Sequence, residues 1–273
     1  MDLKTLKDIP PWDWPEGAAK MFLEILRDGQ ARESDRLVAA ELAGDFTVVN
    51  DELVDALLSI LPSPDESAEL RGQAAISLGP VLEHADTDEF EDPDDVPITE
   101  QTFHRIRDSL RQLYADAGVP EKVRRAILEA AVRAPQDWQL GAVRAAYASD
   151  DEAWRLSAVF CMRFVRGFDE QILAALESGN PDIHYEAVCA AGSWGVDAAW
   201  PHIAALVTSG DTDKPLLLAA IDAAAGIRPR EAVEVLADLT DSEDEDIAEA
   251  AHEALAIAEG FPEEDEDDDE FSQ

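Results

Sequence analysis

Basic residues are scarce in this 273-residue chain: 21 Lys and Arg stand against 61 Asp and Glu, for a formal net charge of −40. Nucleic acid is excluded as a direct ligand, because phosphate binding needs clustered cations. Anionic membrane surfaces are excluded for the same reason. No apolar run is long enough to span a bilayer. The first twenty residues, "MDLKTLKDIPPWDWPEGAAK", lack an apolar core and a small-residue cleavage site, so we read no signal peptide and expect a cytoplasmic protein. The two cysteines, Cys161 and Cys189, are too few for a disulfide framework and fit buried thiols in a reducing compartment. Val, Ile and Thr runs of the kind that form strands are also scarce.

Several catalytic signatures are missing as well. There is no CxxC and no HExxH, so no metal site is expected. No Gly-rich phosphate loop occurs, and "GSWG" (192–195) has the wrong spacing for a nucleophile elbow. The acidic stretch "DTDEFEDPDDVPI" (86–98) lacks the glycine of an EF-hand turn; Glu91 stands there. We expect no catalytic residues and no cofactor.

What is present is acid, alanine and repetition. Seven acids fall in 86–95 and eight in 263–270, yet the rest of the chain is still strongly acidic. Basic proteins remain candidate partners on that ground. Only five of the basic residues are Lys, a composition that also keeps proteins soluble at high salt. The stretch "DIHYEAVCAAG" (182–192) has relatives along the chain: "SDRLVAAELAG" (34–44), "AELRGQAAISLG" (68–79), "EKVRRAILEAA" (121–131), "EAWRLSAVFCM" (152–162), "KPLLLAAIDAAAG" (214–226) and "EDIAEAAHEALA" (245–256). Aligned, one column reads Arg36, Arg71, Arg124, Arg155, His184, Leu217, Ala248. Three residues on, it reads Ala39, Ala74, Ile127, Ala158, Ala187, Ala220, Ala251. The period is close to 32 residues once about 20 are set aside at the acidic insertion.

Second amphipathic patterns lie between these segments, and Pro, Gly, Asp and Ser punctuate the joints. Each unit therefore reads as a helical hairpin, and roughly seven should stack. Small residues in the second column allow close helix crossings. One hairpin cannot bury both of its faces, so neighbours must supply the rest of the core.

The apolar-Arg step (Leu70-Arg71, Val123-Arg124, Trp154-Arg155), the following Ala and the terminal Leu78-Gly79 or Ala191-Gly192 resemble HEAT repeats, in particular the short bacterial HEAT-like group that includes phycobilisome-lyase-type repeats. The resemblance spans about 17–260. It implies an all-α solenoid, an α-α superhelix. It also implies a structural ladder of Arg36, Arg71, Arg124, Arg155 and His184 pairing with acids or carbonyls of the turns. Residues 1–16 are expected to be an extended, capping segment with Trp12 and Trp14 covering the end of the stack. Residues 86–98 are expected to form an insertion loop, and 261–273 a disordered acidic tail.

On the second helices, positions one and five residues after the ladder column share a face. There the central repeats carry Leu156, Phe160, Tyr185 and Leu218, with Arg163, Arg166 and Trp194 near the helix ends. This strip reads as a partner groove or, with the faces shifted by one residue, as ordinary core. The expected function is a non-enzymatic, monomeric scaffold or adaptor that holds a protein or peptide on the concave face of the solenoid. Two alternatives stand beside it. One is an enzyme or enzyme subunit of the lyase or hydroxylase kind that the resemblance includes. The other is an acidic chaperone or nucleic-acid mimic for a basic client.

Overall fold

The computed structural model describes residues 3–88, 90 and 96–260. The acidic tail lies outside these residues, as does most of the acidic part of the insertion. Among the described residues every regular element is a helix. None of those helices is long and apolar enough to cross a membrane. The chain forms two compact units, Met1–Cys161 and Met162–Gln273.

The first unit contains α1 (Leu3–Lys7), α2 (Ala18–Arg27), α3 (Glu33–Ala43), α4 (Asp51–Ile60), α5 (Ala68–Ile76), α6 (Gly79–Thr87), α7 (Glu100–Ala115), α8 (Glu121–Ala131), α9 (Asp137–Tyr147) and α10 (Glu152–Cys161). The second contains α11 (Asp169–Leu176), α12 (Pro181–Ser193), α13 (Trp200–Thr208), α14 (Lys214–Ile227), α15 (Pro229–Leu236) and α16 (Glu245–Glu259). Hairpins α2–α3, α4–α5, α7–α8, α9–α10, α11–α12, α13–α14 and α15–α16 are the seven expected from the periodicity. Within the first unit α3 packs on α5, α5 on α8 and α8 on α10; within the second, α12 packs on α14 and α14 on α16.

Joint chemistry starts the helices. Asn50 accepts from the amides of Glu52 and Leu53 at 3.0 Å each. Ser67, Thr99, Asn180, Asp213 and Asp244 cap their helices in the same way. The predicted column lies in the interior: Ala39, Ala74, Ile127, Ala158, Ala187, Ala220 and Ala251 are all fully buried.

Two sequence expectations need correcting. Residues 1–16 are not extended throughout, because Leu3–Lys7 forms a short helix and Pro11–Asp13 a 3-10 turn. Leu3 and Leu6 are buried there, and burying that apolar pair favours helix over extended chain. Trp14 sits edge-on to Phe22 and donates its ring N–H to the Leu6 carbonyl at 2.9 Å. Trp12, by contrast, is 77% exposed. The second correction concerns Leu78-Gly79, which does not end a repeat. The chain turns there directly into α6, whose Val81, Leu82 and Ala85 are buried. The insertion thus begins with a helix that includes Asp86 and Thr87.

Candidate functional site

The ladder column has a defined job in the first unit. Arg36 donates to the carbonyl of Leu26 at 3.1 Å, Arg71 to Leu61 at 2.8 Å and Arg124 to Tyr114 at 2.9 Å. Each acceptor lies at or next to the C-terminal end of the first helix of the same hairpin, where carbonyls have no intrahelical partner. Arg36 also makes a two-pronged pair with Glu66, at 2.6 and 2.7 Å. Arg124 lies over the rings of Tyr114 and Trp154. Arg155, however, is exposed and stands outside this pattern. His184 also departs from it: its Nε2 lies 2.7 Å from Nε2 of His202, on the first helix of the next hairpin.

The predicted strip divides between the units. In the first, Leu156 and Phe160 are half-buried on α10, while Trp154 and Ala158 on the same helix face the core. The Arg133 guanidinium lies 5.8 Å from the Phe160 ring centre and pairs with Glu83. Next to Phe160 in the helix pattern, the Ser157 hydroxyl donates to Glu129. Burial raises the Glu129 carboxyl above the usual carboxylate range, against the pull of Ser157 and Arg125.

In the second unit Tyr185 is 37% exposed on α12, and Leu218 is half-buried on α14. Tyr185 and Cys189 stand one turn apart on α12. The thiol next to it and partial burial raise the tyrosine pKa, and burial raises that of the thiol. Cys189 is therefore a protonated, weakly nucleophilic thiol near neutral pH. Arg163 reaches Glu186 at 3.4 Å. Arg166 is exposed and stacks on Trp194, 4.5 Å from its ring centre. Trp194 is held in turn by its N–H, which donates to the Met162 carbonyl at 2.6 Å.

Glu186, which holds Arg163, and His202, which meets His184, escaped the sequence reading. Both lie outside the aligned columns, and only their distance in space marks them. Two cavities of about 570 and 390 Å³ lie elsewhere in the first unit, one lined by Asn50, Val96 and Thr99, the other by Leu6, Trp14 and Ile76. Among the described residues no group of three or more His, Cys, Asp or Glu is placed to hold a metal ion.

The family profile of HEAT repeats matches residues 170–256, the hairpins from α11 to α16. This segment is similar to HEAT repeats, and the hairpins before it share the same sequence columns. No curated protein matches the chain. Similar solved structures include human deoxyhypusine hydroxylase in complex with glycerol, at 16% identity over 94% of this chain and 88% of that one, with a TM-score of 0.41. They also include the complex of CpcE and CpcF of phycocyanin lyase from Nostoc sp. PCC7120, at 17% identity, 92% and 98% coverage and a TM-score of 0.45. A designed armadillo repeat protein matches at 14% identity, 87% and 98% coverage and a TM-score of 0.34.

Proposed function

We propose that this chain is a non-enzymatic scaffold that holds a protein or peptide against the outward face of its second helices. The observation that carries the reading is the stacking of exposed Arg166 on Trp194 at the C-terminal end of α12, with Tyr185 exposed nearer the start of the same helix. Aromatic and arginine side chains, partly desolvated but still accessible, are the usual anchors of protein interfaces. Trp194 is fixed by its bond to Met162, so little side-chain entropy is lost when a partner covers it.

The test is affinity capture followed by mass spectrometry with the native chain, Tyr185→Asp and Trp194→Ala. The expected outcome is loss of the same partner from both variants while circular dichroism and melting temperature stay near native. An unchanged partner set with folded variants overturns the proposal.

The charge of −40 favours a second reading, in which the acidic body and tail attract a basic client. Deleting residues 263–273 would then abolish capture, and moderate salt would do the same. Anchoring at Tyr185 and Trp194 predicts little loss from either change.

A further inference from the structure

His184 and His202 meet on two helices of the second unit. His184 stands in the first turn of α12 and His202 in the first turn of α13. Their Nε2 atoms are 2.7 Å apart and the ring planes are nearly perpendicular, at 83°. Both rings are half-buried. Glu177, just after α11, places a carboxylate oxygen 3.7 Å from Nδ1 of His202. A carboxylate there favours the ring hydrogen on Nδ1, which leaves the lone pair of His202 on Nε2, directed at His184.

The repeat makes this arrangement stand out. At the ladder position Arg36, Arg71 and Arg124 each bind a carbonyl of their own hairpin. The α11–α12 hairpin has exchanged that permanent cation for an imidazole that faces a second imidazole.

We propose that His184 and His202 form a two-imidazole site for a divalent metal ion of the zinc–nickel–copper class, with Glu177 as the carboxylate that orients His202. Imidazole suits these ions, whereas Mg²⁺ and Ca²⁺ are drawn to the abundant carboxylates. Two nitrogens about 2.1 Å from a tetrahedral zinc lie about 3.4 Å from each other, so the rings part by less than about 1 Å. The ring hydrogen of His184 moves from Nε2 to Nδ1, and no net proton is released. With no third protein ligand in place among the described residues, water or a group from outside fills the remaining positions, so affinity is modest and the ion stays accessible.

Zn²⁺ titration of the full chain, in excess Mg²⁺ and followed by ring-nitrogen NMR of the histidines, tests this. One equivalent of Zn²⁺ should shift the Nε2 resonances of two of the five histidines. Those shifts should be absent in His184→Gln and in His202→Gln, and retained in His252→Gln. Equal shifts over all five rings, a shift of a single ring, or none overturns the site. Should a variant fail to fold, the wild-type titration decides alone, because a change confined to two rings identifies the pair.

Discussion

Arg71 donates from Nε to the carbonyl oxygen of Leu61, 2.8 Å away and ten residues earlier in the chain. The same ten-residue link joins Arg36 to Leu26 and Arg124 to Tyr114. A cation from the second helix thus satisfies a carbonyl at the end of the first, locking the two arms of one hairpin together.

Arg71→Ala should therefore destabilise the first unit by about 2 kcal/mol, since Arg71 is buried and its loss leaves a carbonyl without a partner. Arg155→Ala, at an exposed position of the same column, should cost under about 0.5 kcal/mol. Urea titration of both variants measures the contrast. Equal losses would mean that the column acts through helix propensity alone.

A side chain on Gly192 would collide with its neighbour: an added Cβ falls 2.7 Å from the Cα of Ala223 on α14. Gly192→Ala should cost about 1–3 kcal/mol through overpacking, although alanine is the better helix former by about 1 kcal/mol. Gly210→Ala, where a Cβ meets nothing within 4 Å, should be close to neutral. Thermal melts of the two variants check the prediction.

The Glu129 carboxyl titrates above its unfolded value because of burial, so the folded state holds this proton more tightly than the unfolded chain does. That contribution is fully present below the unfolded pKa of about 4.3 and is lost as pH rises through the higher folded value. Glu129→Gln should therefore be more stable than the native chain at pH 7, with the advantage closing as pH falls towards about 4. Melting temperatures across that range decide it. A difference independent of pH would contradict the assignment.

Asn50→Ala should cost about 1 kcal/mol, because two amides at the start of α4 lose their acceptor. Hydrogen exchange should show faster exchange at Glu52 and Leu53 than elsewhere in that helix. Uniform protection would argue against the cap.

The hairpins were legible in the sequence because apolar spacing and joint residues are local signals. Ala158 and Ala187 were placed in the interior from their column alone, and both are fully buried. α6 was missed because it falls where the period breaks, although Pro80 and the buried Val81, Leu82 and Ala85 mark it. In the candidate site, the alternating faces put Tyr185 and Leu218 at accessible positions. The hold of Met162 on Trp194 joins residues 32 apart, and no sequence pattern announces it.

The sequence by itself determined the all-helical repeat, the burial of the small column and the acidic surface, since each follows from periodicity, side-chain volume and formal charge. Only the tertiary structure decided what the ladder residues bind. Arg71 finds a carbonyl, Arg155 stays exposed and His184 finds His202, because a side chain's partner depends on which helix end the stacking brings within about 3 Å.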